Sequence, residues 1–134
     1  MKRAILEDIP AKQKHNLGEL IRMEGKVTLG RENEYSRNTI NLGVDSGHEK
    51  VNRISRRHAE IRYDLKTDTY LLEDALSKNG TEIEREKTKI TMSLAPMPLQ
   101  DGDNLYFGSY GPVIFTQKEQ EKRKDDRTRV SVFE

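Results

Sequence analysis

The stretch VNRISRRHAEIRYD, from Val51 to Asp64, carries two patterns that together decide the fold of this chain. Its first half places three arginines, a serine and a histidine within the six residues from Arg53 to His58. From His58 onward apolar and polar residues alternate, which is the side-chain period of a β-strand with one buried face. The core-facing residues of this strand are predicted to be Ala59, Ile61 and Tyr63. A strand is therefore expected to begin where a concentration of positive charge ends.

Short alternating segments recur along the rest of the chain. They are separated by Gly, Asn, Asp, Ser or Pro, and they read ELIRME, KVTLGR, NTINLG, HAEIRYD, TYLLED, TEIERE, NLYFGS and PVIFTQ. This pattern is typical of strands, and the intervals are too short for the crossover helices that parallel strands require. We therefore predict an all-β fold, an antiparallel two-sheet β-sandwich followed by a charged C-terminal tail.

Composition limits the classes of function. The 134 residues suffice for one domain, and with 33% hydrophobic against 35% charged residues the core must be economical. Lys and Arg number 24 and Asp and Glu 23, so the overall charge favours neither nucleic acid nor an acidic membrane, and any anion site must be local. The lack of cysteine fits a reducing compartment. Without a signal peptide or a membrane-length apolar run, we expect a soluble, cytoplasmic protein.

Changes in composition also suggest boundaries. We expect residues 1–18 to form an N-terminal extension, residues 19–117 the domain and residues 118–134 the tail, because KEQEKRKDDRTR after Gln117 is nearly all charged. Within the domain, LKTDT predicts a β-hairpin, LQDGDN a hairpin turn, and SKNGT and GSYGPV further turns. The longest irregular stretch, residues 43–52, predicts a loop of the kind on which binding residues often lie.

Ser55 and His58 raise the question of a hydrolase. On one strand, three residues at ~3.3 Å each would separate them by roughly 10 Å and place them on opposite faces. The chain also lacks the Gly-x-Ser-x-Gly elbow of many serine hydrolases. We therefore expect no enzymatic activity, and we expect His58 to hold a loop through hydrogen bonds to backbone groups.

The sequence also contains no group of residues with the spacing of metal ligands. His15, His48 and His58 lie far apart, and DGDNLYFGS departs from a calcium loop because Leu105 stands where an oxygen ligand belongs. Neither a metal nor a cofactor is predicted.

Three segments at strand edges remain: LGRE with Arg31, ISRRHAEI with Ser55, and SKNGTEI with Asn79. Arginine offers planar paired donors that match a phosphate, serine adds a hydroxyl donor, and asparagine both donates to and accepts from an extended peptide backbone. Together they form a plausible site for a phosphorylated side chain.

The order of these motifs, Gly30-Arg31, then Ser55-Arg56-Arg57-His58, then Asn79-Gly80-Thr81, with LQDGDNLYFG following, resembles the forkhead-associated (FHA) domain. The resemblance runs from about Glu19 to Gln117. It implies an eleven-stranded β-sandwich whose apical loops bind phosphothreonine in an extended peptide.

The resemblance also implies individual roles. Arg31 and Ser55 would hold the phosphate, Arg56 would lie beside the phosphate or the peptide, and Asn79 would bind peptide backbone. Gly30, His58 and Gly80 would shape the loops. Lys78 stands where many members have a threonine and is included among the candidate binding residues, and the segment between Arg31 and Ser55 is longer than in a typical member.

Two interpretations stay open at this point. The first is a non-enzymatic phosphothreonine-peptide-binding module, acting downstream of a Ser/Thr kinase as an adaptor or as part of a larger protein. The second is an FHA-like structural interaction domain that binds partners without phosphate. Nucleic-acid binding is disfavoured by the balanced charge. In the tail, Thr128 suggests a further hypothesis, in which the phosphorylated tail occupies the Arg31/Ser55 site and excludes other partners.

Overall fold

The computed structural model describes residues 1–118, and it consists of eleven β-strands, one α-helix and one short 3₁₀ helix. The predicted tail beyond Lys118, including Thr128, lies outside the described residues. The elements in chain order are β1 Arg3–Asp8, β2 Gln13–Asn16, α1 Leu17–Glu24, β3 Val27–Arg31, β4 Ile40–Leu42, the 3₁₀ helix Val51–Arg53, β5 Ala59–Asp64, β6 Thr69–Asp74, β7 Thr81–Arg85, β8 Thr88–Thr91, β9 Met97–Pro98, β10 Asp103–Phe107 and β11 Tyr110–Lys118.

The strands form two sheets that pack face to face. One has six strands in the order β2-β1-β11-β10-β7-β8, and the other has five in the order β4-β3-β5-β6-β9. The pairings are antiparallel except for β3 with β4, which run parallel. The predicted all-β sandwich is therefore confirmed, and the parallel β3–β4 pair is its one exception among the described strands. Neither helix in residues 1–118 is long and apolar enough to cross a membrane.

The core lies between the inner faces of the two sheets. Ala59 and Ile61 on β5 are fully buried, as their alternation predicts. Tyr63, the third predicted core residue, is only half-buried and packs its ring edge-on against Tyr70, with centroids 4.9 Å apart. Burying large side chains such as Tyr70, Phe107 and Phe115 supplies the main favourable term for folding, because each removes a large apolar area from water.

ELIRME, predicted to be a strand, is instead most of helix α1. The helix begins after Asn16, whose side chain accepts a hydrogen bond from the backbone N–H of Glu19. It ends at Gly25, whose φ of 86° and N–H bond to Ile21 O are typical of a C-terminal cap. Leu17 and Ile21, four residues apart, are buried on one face. The prediction was wrong because a two-turn helix is decided by its caps more than by its short apolar pattern.

Residues 1–18, expected to be an extension, contribute β1 and β2 to the larger sheet. β1 lies inside that sheet between β2 and β11, and its register with β11 runs from Arg3 opposite Lys118 to Asp8 opposite Val113. The sequence did not indicate a strand here because β1 ends in two acidic residues, Glu7 and Asp8. Asp8 is nevertheless buried, because it accepts hydrogen bonds from Gly43 N and the Tyr110 hydroxyl.

The predicted turns differ in what they connect. LKTDT joins β5 and β6 as the predicted hairpin, and the GSYGPV turn joins β10 to β11. LQDGDN is a turn, with Asp103 N donating to Gln100 O, but it is not a hairpin because it carries the chain from β9 in one sheet to β10 in the other. At the start of β10, the buried Asp103 carboxylate forms a bidentate ion pair with Arg85. Arg85 Nε donates to Asp103 Oδ1 at 2.9 Å, and a terminal nitrogen of Arg85 donates to Oδ2 at 2.8 Å.

The loops that follow β3, precede β5, join β6 to β7 and join β10 to β11 meet at one end of the sandwich, here called the apical end. Gly108 N in the β10–β11 turn donates to Gly80 O at the end of the β6–β7 loop, and this bond extends the pairing of β10 with β7 to the apical end. Since β11 starts at the apical end, Lys118 and its partner Arg3 lie at the opposite end.

Candidate functional site

Arg31 is the last residue of β3 and lies directly beside Ser55. The backbone N–H of Arg31 donates to Ser55 O at 3.0 Å, and its side-chain Nε donates to Ile54 O at 3.0 Å. The second bond fixes the guanidinium against the neighbouring loop. It uses only one of the five N–H donors of the side chain, so the two terminal nitrogens retain donors for an anion.

Ser55 is held at three atoms. Its backbone N–H donates to His58 Nδ1 at 2.9 Å, its carbonyl receives the Arg31 N–H, and its Oγ accepts a hydrogen bond from Lys78 N at 3.0 Å. Because Oγ acts as the acceptor in that last bond, the hydroxyl hydrogen is left to donate to another group. Ser55 therefore keeps an O–H donor on a loop that is hydrogen-bonded to Arg31.

His58 is completely buried, and both of its ring nitrogens contact the backbone. Nδ1 accepts from Ser55 N, so the ring proton is on Nε2, which donates to Gly80 O at 2.9 Å. The ring also packs edge-on against Phe107, with centroids 5.4 Å apart. Burial lowers the pKa of His58, and its bond to Gly80 and the nearby Asp74 carboxylate only partly oppose this. Neither nitrogen bonds to Ser55 Oγ, so the pair does not have the geometry of a nucleophile and its base.

Gly30 allows the loop before β5 to approach β3. A Cβ at this position would lie 1.9 Å from Arg56 O and 2.8 Å from Asn38 Nδ2, distances that no real side chain tolerates. Gly80 has a different requirement, because its φ of +85° lies in the left-handed region that favours glycine. The first glycine sets the spacing between β3 and Arg56, and the second sets the bend after Asn79.

The β6–β7 loop carries Lys78 and Asn79 and is organised by Asp74. The Asp74 carboxylate accepts hydrogen bonds from Ser77 N, Ser77 Oγ and Thr81 Oγ1 at 2.6–2.9 Å. Burial alone would raise the pKa of Asp74, but these hydrogen bonds outweigh it and hold the pKa below the usual value. The loop is thus pinned at both ends before any ligand binds.

Lys78 and Asn79 differ in what they contact. Lys78 is exposed and contributes its backbone N–H to Ser55 Oγ. The side chain of Asn79 donates from Nδ2 to Arg53 O at 3.0 Å, which connects the β6–β7 loop to the loop before β5. One N–H and the Oδ1 of Asn79 are not used by that bond.

Asn38 is a site residue that the sequence analysis missed. It is buried, and its Nδ2 donates to Arg56 O at 2.7 Å while its Oδ1 accepts from Arg57 Nε at 3.3 Å. The Arg57 side chain therefore folds back onto the loop after β3. Arg56 lies with its guanidinium carbon 4.9 Å from the centre of the Tyr35 ring, a cation–π contact.

The apical loops concentrate positive charge. Arg31 is half-buried, and several other basic residues there are exposed, among them Arg53, Arg56, Arg57 and Lys78. Arg53 is oriented by its Nε, which donates to Gly108 O at 2.9 Å. A chain with a net charge of only +1 therefore has a basic surface at one end, of the kind that attracts an anionic ligand. The structure brings the predicted residues Arg31, Ser55, Arg56, Lys78 and Asn79 to that end.

Comparison with known protein families gives a match to the FHA domain over residues 27–108, which is more than half of the chain. The chain belongs to the FHA family. FHA domains are protein-interaction modules, and the matched range contains the apical loops up to Gly108, the first residue of the β10–β11 turn. It excludes β1, β2, α1 and all of β11, so the match alone would not have shown that the N-terminal strand completes the sandwich.

Solved FHA structures share the fold. The FHA domain of an Arabidopsis thaliana hypothetical protein aligns with a TM-score of 0.64 at 18% identity, covering 90% of this chain and 89% of that one. The FHA domain of yeast Dun1, solved with a doubly phosphorylated peptide derived from Rad53, aligns with a TM-score of 0.57 at 22% identity, covering 90% of this chain and 77% of that one. At these identities the likeness establishes the fold alone.

Mycobacterium tuberculosis EmbR, solved in complex with a low-affinity phosphopeptide, aligns with a TM-score of 0.60 at 23% identity over 88% of this chain. This chain spans only 25% of the length of the EmbR chain. A comparison with curated proteins gave no match.

Proposed function

We propose that this FHA domain is a non-enzymatic module that binds a phosphothreonine-containing peptide or protein. One observation carries the proposal: the Ser55 hydroxyl and the terminal nitrogens of Arg31 keep unused donors, while other atoms of both residues are hydrogen-bonded to the surrounding loops and, through Arg31 N and Ser55 O, to each other. Donors that are already oriented lose little freedom on binding, so more of the interaction energy appears as affinity.

Charge supports the same ligand. A phosphothreonine carries about −1.5 to −2 charges at neutral pH and three strong acceptor oxygens. Arg31 and Ser55 would bind these oxygens, and the exposed Arg56 and Lys78 would add positive potential around them. Hydrogen bonds between a guanidinium and a phosphate are among the strongest in proteins, since both partners are charged.

Asn79 would bind the peptide backbone beside the phosphothreonine. Its amide retains an acceptor oxygen and one N–H after bonding Arg53 O, and these match the C=O and N–H groups of an extended chain. The solved complexes of EmbR and of the Dun1 FHA domain with phosphopeptides support a phosphopeptide as the ligand class here. We infer a cytoplasmic adaptor, or one part of a larger protein, that acts downstream of a Ser/Thr kinase.

The direct test is a titration with three peptides of one sequence that contain threonine, phosphothreonine or phosphoserine. We expect measurable binding for phosphothreonine and at least tenfold weaker binding for threonine, because the unmodified residue offers no charged acceptor. Equal affinity for threonine and phosphothreonine would reject the proposal and favour an interaction domain that does not require phosphate.

A further inference from the structure

The β6–β7 loop contains a chemically reactive pair of residues, Asn79 followed by Gly80. It is the one place in the sequence where an asparagine precedes a glycine. Asparagine is thermolabile in proteins because the next backbone nitrogen can attack its side-chain amide carbon. A glycine in the next position removes the main steric barrier to this attack, since it has no Cβ and its backbone bends freely.

The structure leaves room for this reaction at Asn79. The residue is exposed, so water can reach its side-chain amide. A Cβ built on Gly80 would meet no atom within 4 Å, so a ring closed on the Gly80 nitrogen has open space beside it. Asn16 and Asn52 are exposed as well, but the residues that follow them carry side chains that restrict the approach of the backbone nitrogen.

Both reacting groups are held by hydrogen bonds. The Gly80 N–H, whose nitrogen is the nucleophile, donates to Ser77 Oγ at 3.0 Å. The leaving group, Asn79 Nδ2, donates to Arg53 O, also at 3.0 Å. Closing the ring requires both bonds to break, so they slow the reaction without blocking it.

Ser77 restrains the nucleophile rather than activating it. Its hydroxyl donates to Asp74 Oδ1 at 2.6 Å, so a chain of hydrogen bonds leads from the Gly80 nitrogen to a carboxylate. A base that removed the Gly80 proton would accelerate the attack. Although burial acts to raise it, hydrogen bonds keep the pKa of Asp74 below its usual value, which makes the carboxylate a weak base. Loss of the Ser77 hydroxyl should therefore speed the reaction.

We propose that Asn79 is a site of spontaneous deamidation in the folded domain, that the Ser77 hydroxyl restrains the reaction, and that its products disable the binding loop. A bond forms between Gly80 N and Asn79 Cγ while the Cγ–Nδ2 bond breaks. The amide NH₂ leaves with the Gly80 proton as ammonia, and a five-membered imide remains. Water then opens the imide at one of its two carbonyl carbons, which gives either aspartate or isoaspartate. Nothing is oxidised or reduced, and water is the co-reactant.

Either product alters the site. Aspartate at position 79 loses the N–H that bonds Arg53 O and adds a negative charge that repels a phosphate. Isoaspartate also adds one atom to the main chain before Gly80, whose carbonyl accepts from His58 Nε2 and Gly108 N, so these contacts shift. The reaction itself does not depend on the proposed function, whereas its effect on ligand affinity rests on it.

The test incubates the intact protein at mildly alkaline pH and follows the peptide that contains Asn79 by mass spectrometry. Deamidation adds about one dalton, and digestion at acidic pH prevents further reaction during the measurement. We expect Asn79 to react faster than Asn16 and Asn52 in the same digest. It should react more slowly than in the synthetic peptide LSKNGTE, which lacks the folded loop. A rate at Asn79 no higher than at Asn16 and Asn52 would overturn the inference.

Ser77→Ala removes the acceptor of the Gly80 N–H and should raise the rate at Asn79 by roughly twofold to tenfold, the effect of one hydrogen bond. Ser93→Ala is the matched control, because Ser93 Oγ also accepts a backbone N–H, from Ala95, in an exposed loop between β8 and β9. It should leave the rate unchanged. An unchanged or lower rate in Ser77→Ala, or an equal rise in both variants, would overturn the restraint by Ser77.

The effect on binding is measured by titrating a phosphothreonine peptide into fresh and incubated protein. The fraction of protein that binds should fall as the modified fraction rises. Asn79→Asp, which reproduces one product, should bind roughly tenfold more weakly, with a melting curve to confirm the fold. Full binding by modified protein and wild-type affinity in Asn79→Asp would overturn the functional effect. Absence of binding by fresh protein would instead refute the proposed function, and the mass measurement would still decide whether Asn79 reacts.

Discussion

The backbone N–H of Ser55 donates to Nδ1 of the buried His58 at 2.9 Å, so the candidate phosphate-binding serine and the histidine three residues later close one turn. The other ring nitrogen of His58 donates to Gly80 O, also at 2.9 Å. A single imidazole therefore fixes the distance between the loop that carries Ser55 and the loop that carries Lys78 and Asn79.

Replacing His58 with alanine should lower the free energy of unfolding by ~1–3 kcal/mol, because the backbone N–H of Ser55 loses its hydrogen-bond partner and Gly80 O keeps only the bond from Gly108 N. Thermal and denaturant unfolding would measure the loss. His15→Ala is a suitable control, since His15 is half-buried and its Nε2 has no hydrogen-bond partner among the described residues. A His58→Ala protein that melts like wild type yet loses all ligand binding would contradict the bracing role.

Stability should fall when the pH is lowered below the ordinary histidine pKa of 6.5. Burial lowers the pKa of His58, so between 6.5 and its folded pKa the unfolded chain binds a proton that the folded chain does not. The stabilisation is therefore complete above pH 6.5 and is lost as the pH decreases through that window. Burial also lowers the pKa of His15, which contributes in the same direction. Unfolding at pH 7.5 and 5.5 should show a smaller pH effect in His58→Ala, and an unchanged effect would exclude His58 as a source.

Arg31→Ala and Ser55→Ala should both weaken phosphothreonine-peptide binding. The arginine variant loses charge-assisted hydrogen bonds worth ~1.5–3 kcal/mol, which corresponds to roughly tenfold to a hundredfold in affinity. Titration calorimetry together with melting curves separates lost contacts from lost structure. Unchanged affinity in a folded variant would remove that residue from the site.

Asp74→Ala should release the β6–β7 loop, because three hydrogen bonds to one carboxylate disappear. We expect a stability loss of ~1.5–3 kcal/mol, as for hydrogen bonds to a charged group, and weaker phosphopeptide binding through Lys78 and Asn79. The neighbouring Glu73→Ala is the matched control, since Glu73 forms only a partly exposed ion pair with Arg62, a type worth ~0–1 kcal/mol. Equal effects of the two variants would show that the Asp74 network does not organise the loop.

Gly30→Ala should damage the site through sterics alone. The new methyl would lie 1.9 Å from Arg56 O, so the loop before β5 must shift, and phosphopeptide affinity should fall with the displacement of Ser55 and Arg56. Gly47→Ala provides the comparison, because a Cβ there meets no atom within 4 Å and only its positive φ is strained. Gly47→Ala should lose some stability and keep binding. Wild-type affinity in Gly30→Ala would mean that the close approach is not required.

Much of the fold follows from local sequence signals. Period-two alternation identified β5 and β6, and Asn-Gly and Asp-Gly dipeptides marked turns, because both signals are set by neighbouring residues. β1 was missed because Glu7 and Asp8 interrupt its apolar pattern. Asp8 is accommodated by Gly43 and Tyr110, which are distant in sequence.

The residues of the candidate site also fall into those that short sequence motifs predict and those that depend on partners distant in sequence. Arg31, Ser55 and His58 were found because they lie in short contiguous motifs. Asn38 was missed because its partner Arg56 is 18 residues away, and nothing near Asn38 in the sequence predicts that contact. Asp74 could have been recognised, since an aspartate with a serine three residues later is a common side-chain-to-backbone turn pattern.

The pairing of Arg3 with Lys118 determines where the domain can be attached to a surface, a label or a fusion partner without covering the site. Both residues lie at the end of the sandwich away from Ser55, so a surface, label or fusion partner joined there leaves the apical loops facing solvent. The same geometry limits self-occupancy by Thr128. β11 is nine residues long, or ~30 Å, and the ten residues from Lys118 to Thr128 extend at most ~36 Å. Reaching Ser55 in the same molecule would demand an almost straight chain along the whole sandwich, whereas reaching a neighbouring molecule would not.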